Sequence, residues 1–230
     1  MNVVGRVLLV LTTNGSDEDL HALQCHAMHW ARNPLAHTTE VLLHSTRALN
    51  KDFVASFQSA FISPMQKHVT VTPPRRSGND KQAIDTFVKA LNPYALSRYN
   101  WVIASAADVI IMNASRLLTM LSTPNAWAIL ANCNNGRRCT AGCIHGLVQS
   151  DFFAFRPSEV RFHNETLLEQ KSETYVTQIF YPAIALKHDA WIQARGFKDR
   201  SCRIRAGVRG GRRDILHYRD SRCNKRGLKM

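Results

Sequence analysis

The sequence predicts an α/β domain with a doubly wound, mostly parallel central sheet. Four strand-length apolar segments alternate with segments of helical period before residue 113, and most are apolar throughout, as strands covered on both faces are. The chain has 230 residues, 45% of them apolar. That suits one large domain or two small ones with ample core.

The first strand is "RVLLVLTTN", Arg6 to Asn14, an apolar run that opens into small polar residues. Its apolar stretch, Val7 to Leu11, is short and follows Arg6, so the opening reads as a core strand and not as a secretory signal. "SDEDLHALQCHAMHWARN" follows as a helix, with Ser16 as N-cap and Asp17, Glu18 and Asp19 complementing the dipole of the first turn. Leu20, Leu23, Ala27 and Trp30 recur at helical spacing, and Pro34 ends the segment. "TEVLLHST" is the second strand, "NKDFVASFQSAFI" the second helix and "HVTVT" a short third strand. After the breaker "PPRRSGND" comes "KQAIDTFVKALN", capped by Asn79 or Asp80, with Ala83, Phe87 and Leu91 on one face.

The fourth strand lies in "RYNWVIASAADVIIMN", where Trp101, Val102 and Ile103 lead to Ser105 and Asp108 before the apolar run resumes at Val109. A buried carboxylate without a partner is costly. Asp108 is therefore expected either to cap a turn or to meet a cation or basic side chains at a ligand-facing strand end. Beyond it, "NAWAILANC" and "GLVQSDFFAFRPSEV" read as strands, the latter ending at Arg156-Pro157 with Phe152, Phe153 and Phe155 divided between its two faces. "NETLLEQKSETYVTQIFYPAI" reads as a helix capped by Asn164, and "RRDILHYRDSRCNKRG" holds a short strand ending at His217.

Sheets of this kind bind ligands beyond the carboxyl ends of their strands. Thr12, Thr13 and Asn14, Ser105 to Asp108, and the helix start at Asn79 to Gln82 with Lys81 would then share one edge, the last offering amides to a phosphate. No G-x-G-x-x-G follows the first strand and no P-loop signature occurs, which argues against dinucleotide and P-loop binding. The longest apolar runs are far shorter than the roughly 20 residues of a spanning helix.

The six cysteines allow disulfides or free thiols. Cys133, Cys139, Cys143 and His145 share a polar stretch without a Cys-x-x-Cys knuckle, so a local disulfide or plain thiols is the reading preferred over zinc. Sequons at Asn14, Asn113 and Asn164 permit a secretory setting. Most of the net charge of +13 lies between Arg195 and Met230, where the only acids are Asp199, Asp214 and Asp220. Residues 1–194 thus form the α/β domain and 195–230 a basic C-terminal segment, which suits an anionic partner or a solvated surface. Nucleic acid ranks last among such partners, because the tail lacks interleaved aromatics and matches no DNA-binding motif.

The order of elements, the strand ending near "SAADV", the later "SDFFAFRPSEV" and the terminal "ILHYRDSRCNKRG" resemble the nucleotide-diphospho-sugar transferase (GT-A) fold of glycosyltransferases, from Val7 to Gly227. The resemblance implies transfer of a sugar from a nucleotide-diphosphate-sugar donor to a glycan, protein or lipid acceptor. It implies an Asp-x-Asp motif holding Mn2+ or Mg2+ against the diphosphate, with Asp108 as the second acid and His217 as the late histidine of the metal site. Ala106 stands where the first acid is expected, leaving one carboxylate and one imidazole for a hard cation that prefers oxygen ligands. Basic residues offer another means of neutralising the diphosphate, through Arg219, Arg222, Lys225 and Arg226. The donor would bind along Thr12, Thr13, Asn79, Lys81, Ser105 and Asp108. Asp151 corresponds to a polar position facing the acceptor, as a substrate contact or base, with a salt bridge to Arg156 as the structural alternative. A non-catalytic GT-A-like binding domain is the alternative function. The compartment would be the secretory pathway or Golgi lumen if a targeting segment lies outside this chain, and otherwise the cytoplasm.

Overall fold

The structure is a computed structural model that describes residues 4–61, 69–71, 96–111, 114–124, 126–132, 148–159, 192–193 and 215–217. Strand β1 (Val7–Thr13) lies at the centre of its sheet, and Val7, Leu8, Leu9, Val10 and Leu11 are all fully buried. Each such side chain contributes roughly 1.5–3 kcal/mol relative to exposure. On one side β1 pairs in parallel with β2 (Thr39–Ser45), which pairs in parallel with β3 (Val69–Val71). On the other side it pairs in parallel with β4 (Trp101–Ala106). A run apolar on every residue is stable only between two covered faces, as the sequence pattern indicated.

The sheet continues through β7 (Val148–Phe155), β6 (Ala128–Asn132) and β8 (Ile192–Gln193), in the order β3-β2-β1-β4-β7-β6-β8. β7 is antiparallel to both β4 and β6, and β8 is parallel to β6. Among the described residues the sheet is therefore mixed, with β7 alone reversed. The expected parallel arrangement holds for its other strands. A buried strand is apolar whichever way it runs, so the pattern of β7 carried no sign of its direction.

The continuous apolar stretch around Asp108 is divided. β4 ends at Ala106, Ala107 and Asp108 form a turn, and β5 (Val109–Ile111) leaves the large sheet to pair antiparallel with β9 (Ile215–His217). The alternation that would set residues 106 and 108 on one strand face is thus broken at the turn.

Helix α1 (Asp17–Trp30) begins as its sequence suggests, with Ser16 Oγ accepting from the amide of Asp19 at 3.3 Å. Leu23, Ala27 and Trp30 enter the main core with Leu9, Leu11, Phe57 of α2 (Lys51–Phe61), Trp101, Ile103 and Phe152. Ala22 and Cys25 form a second small cluster with Ile110 of β5. Cys25 is disulfide-bonded, and every other cysteine lies outside the described residues. His26, fully buried, meets the Trp30 ring edge-on at 5.9 Å. Helix α3 (Ser115–Leu121) adds Leu117, Met120 and Leu121 to the main core. Trp101 is core, and the Arg156 guanidinium lies over its ring at 4.7 Å. Phe153 and Phe155 stack on each other, while the intervening alternation sends Phe152 into the main cluster.

The amino end of the sheet is clamped by polar groups. Arg6 and Arg98 both pair with Glu40, and Tyr99 Oη donates to Glu40 at 2.6 Å. Asn100 Oδ1 accepts from the amide of Arg6 at 2.9 Å, beside Gly5 at φ +76°, where a Cβ would strike that side chain. No helix among the described residues is long and apolar enough to cross a membrane. The helices expected at 81–92 and 164–184, and the stretch from Cys133 to Cys143, lie outside the described residues.

Candidate functional site

At the carboxyl end of the sheet, Thr12 pairs in register with His44 of β2 and with Ala106 of β4. The amide of Ala107 then donates to the carbonyl of Thr12 at 2.8 Å, and the amide of Thr46 to the carbonyl of Thr13 at 3.0 Å. These bonds place Thr12, Thr13 and the turn bearing Asp108 on one edge, as the strand order suggested.

The side chains there are committed in specific ways. Ser105 is buried, and its hydroxyl donates to the carbonyl of Val109 at 3.1 Å, so it braces the turn from beneath. Thr13 is also buried, and its hydroxyl donates to Asp19 Oδ2 at 2.8 Å while accepting from the amide of Gly15 at 2.9 Å. Asp19 Oδ2 accepts a second bond, from the amide of Asn14 at 3.0 Å. Asn14 Oδ1 in turn accepts from the amide of Ser16 at 2.7 Å. Gly15 sits at φ +73°, the left-handed region that glycine enters without strain, and so closes the turn.

Asp19 stands close enough to Asp108 to feel its charge. Burial raises the Asp19 pKa, the bonds from Asn14 and Thr13 lower it, and the charges of Asp108 and Glu18 raise it again, for a net upward shift. Asp108 is half-buried at its turn. A second carboxylate therefore lies in the neighbourhood of Asp108.

Two further residues reach this edge through strand register. His217 is the partner of Val109, so the β9 backbone ends beside the Asp108 turn. Phe152 is the partner of Ser105, and the reversal of β7 brings the preceding residue, Asp151, to the carboxyl edge of β4. Had β7 run parallel to β4, its early residues would lie at the opposite end of the sheet. Arg156 donates through Nε to the carbonyl of Ala126 at 2.6 Å. Asn79, Lys81, Arg219, Arg222, Lys225 and Arg226 lie outside the described residues.

Asp19 and His44 also belong to this edge. In the sequence Asp19 is one of three first-turn acids favourable to the helix dipole. A usable signal was its position three residues after the N-cap, where a capping-box acid reaches back toward the chain before the helix. His44 is buried beside Thr12 at the end of β2, and its position in "VLLHST" resembled an ordinary strand end. Among the described residues, no group of three or more His, Cys, Asp or Glu is placed to hold a metal ion.

No protein-family model matches the sequence, and no curated protein matches it significantly. Solved structures do match in fold. An active-site mutant of LgtC superposes with a TM-score of 0.53 at 10% identity, over 92% of this chain and 86% of that one. The glycosyltransferase GlyE of Streptococcus pneumoniae TIGR4 superposes with a TM-score of 0.50 at 10% identity, over 93% of this chain and 54% of that one. The galactosyltransferase LgtC in complex with donor and acceptor sugar analogs gives 0.49 at 11% identity, over 92% and 86%. The fold is that of the GT-A glycosyltransferases.

Proposed function

We propose that the chain transfers a sugar from a nucleotide-diphosphate-sugar donor to a glycan, protein or lipid acceptor. One observation carries this reading: at the carboxyl edge of the main sheet of a GT-A fold, strand register brings the end of β1, the Asp108 turn and Asp151 of β7 together, and the separate β5–β9 pair ends with His217 beside that turn. Crossover topology puts ligands at that edge in α/β sheets.

In this reading the acceptor hydroxyl attacks the anomeric carbon of the donor. The bond from that carbon to the diphosphate oxygen breaks, and its electron pair leaves with the nucleoside diphosphate. Asp151 takes the hydroxyl proton. Negative charge grows on the departing diphosphate, and Arg219, Lys225 and Arg226, following β9, together with Lys81, are the groups suited to stabilise it. Thr12 and Asn79 border the donor, while Thr13 and Ser105, whose hydroxyls are turned inward, hold the shape of the edge. Much of the acceleration would come from positioning, which requires few titrating groups.

The carboxylate of Asp108 supplies hard oxygen atoms of the type that Mn2+ or Mg2+ takes. Asp108 and His217 would hold such an ion, with donor phosphates and water completing its shell, and the ion would offset the leaving charge. A non-catalytic binding role is favoured by one feature, Ala106, which packs partly against the core where an acid would face the donor.

The test is a thermal-shift screen of nucleoside diphosphates and nucleotide sugars, with and without Mn2+, followed by assay of nucleoside diphosphate release. A ligand at 100 times its dissociation constant should stabilise the fold by about 2.7 kcal/mol. Binding with release supports transfer, and binding without release supports the binding domain. A response to oligonucleotides alone would replace both readings with nucleic-acid binding through the basic segment.

A further inference from the structure

Asp19 does more at this edge than complement the start of a helix. Ser16 already satisfies the Asp19 amide through its hydroxyl, and Asn14 Oδ1 satisfies the Ser16 amide. The carboxylate is not spent on the amides of its own helix. It reaches back beyond the cap to Asn14 and Thr13, five and six residues earlier. Thr13 passes the constraint on, because the same hydroxyl that donates to Asp19 accepts from the Gly15 amide. Thr13 is also tied by its carbonyl to Thr46, and its neighbour Thr12 to Ala107, the residue before Asp108. One carboxylate therefore fixes the loop that leaves β1, and the last two residues of β1, from which that loop starts, are bonded to Ala107 of the turn presenting Asp108 and to Thr46.

Asp19 is half-buried at this loop, whereas its neighbours Asp17 and Glu18 are exposed. Helix capping alone would not require the carboxylate to sit there, since the first turn offers solvent-exposed alternatives at Asp17 and Glu18. We propose that Asp19 is the positioning residue of the donor edge, setting the β1–α1 loop through Thr13 and Asn14 so that it meets the Asp108 turn in the geometry a nucleoside diphosphate requires. This rests on the transferase reading. Asp19 acts through the loop and touches no reacting atom.

The experiment compares wild type with Asp19→Ala, Asp19→Asn and Thr13→Val by amide hydrogen exchange and by calorimetric titration of uridine and guanosine diphosphates. Hydrogen bonds to a charged group are strong enough that Asp19→Ala should speed exchange at Asn14 and Gly15 about tenfold and weaken diphosphate binding by a similar factor. The amides of β1 and β4 should keep their protection. Asp19→Asn retains a side-chain oxygen acceptor and should restore most of both effects. Thr13→Val should speed Gly15 but not Asn14, since only the former depends on the hydroxyl. A purely structural role would lower the melting temperature without separating Ala from Asn in affinity. Unchanged exchange at Asn14 and Gly15 in Asp19→Ala would overturn the proposal, as would equal loss of affinity in Asp19→Ala and Asp19→Asn. If wild type binds neither diphosphate, the transferase reading falls and with it the donor-edge role, and exchange then reports only whether Asp19 sets the loop.

Discussion

The amide of Ala107 donates to the carbonyl of Thr12 at 2.8 Å, one step past the last register pair of β4 with β1. The two central strands are thus tied together where the chain turns away, and Asp108 is the next residue. A rigid base of this kind lets the short turn present a half-buried carboxylate in a fixed place.

The first prediction concerns residues 106 and 108. Asp108→Asn should weaken Mn2+ binding to the protein saturated with nucleoside diphosphate, by about tenfold, because one hard anionic ligand is lost. Ala106→Asp adds a carboxylate at the last residue of β4 and should strengthen it. Isothermal titration of Mn2+ into the three proteins decides the matter, and indistinguishable affinities would remove these residues from any metal edge.

The basic segment gives the second. Replacing Lys225 and Arg226 together with alanine should weaken nucleoside diphosphate binding by about tenfold and leave nucleoside binding nearly unchanged, since charge-assisted bonds to phosphate are the ones lost. If the segment instead serves nucleic acid, the same change would flatten the salt dependence of oligonucleotide binding. Equal affinities for every anion would leave the segment as solvated surface.

A third prediction follows from His26. Burial, with a lesser contribution from the charge of His29, holds its pKa down to about 3, so the ring is neutral in the fold. In the unfolded chain it titrates near about 6.5. The unfolded state therefore binds the extra proton between those values, and stability falls as pH drops from about 6.5, by at most about 1.4 kcal/mol per pH unit. Urea unfolding at pH 7 and pH 5 should show this loss in wild type and a smaller one in His26→Leu. Identical pH slopes would assign the loss to other groups.

Glu40 supplies the fourth. Burial raises its pKa, but the bonds from Tyr99 and Arg6 and the charges of Arg98 and Arg6 outweigh burial and hold the carboxyl below its usual value. Its contribution is present above the unfolded value of about 4.3 and is lost as pH falls through the lower folded value. Both arginines are well exposed, at 58% and 42%, which limits the worth of the pairs. Glu40→Gln should cost about 1 kcal/mol at pH 7, and the difference from wild type should shrink at pH 3. A gap of the same size at both values would mean that charge is not what Glu40 contributes.

The sequence made β1, β2 and β4 legible because their runs are continuous and end in small polar residues, and it located α1 through Ser16. It placed Thr12 and Asp108 on a common edge through a general property of crossover sheets. It did not reveal the reversal of β7, since "FFAF" is apolar in either direction. Nor did it reveal that β5 pairs with β9 apart from the main sheet, because a turn of Ala107 and Asp108 has none of the glycine or proline that marks most turns. Asp19 was hidden for a different reason. Three acids in a first turn look interchangeable until tertiary structure selects the one that reaches Thr13.

Cys25 has a consequence for the chain as a polymer. The next cysteine in the sequence lies more than a hundred positions later, so the disulfide at Cys25 closes a covalent ring containing at least β2, α2, β3, β4, β5, α3 and β6. Even when denatured, such a ring keeps α1 within reach of strands it would otherwise find only by diffusion. The entropy removed from the unfolded ensemble corresponds to about 5 kcal/mol in a loop-closure account. Folding rate and oxidation state are thereby linked: a reduced chain must bring the β1–α1 unit and β4 together across the full contour, whereas the oxidised chain begins with that search already shortened.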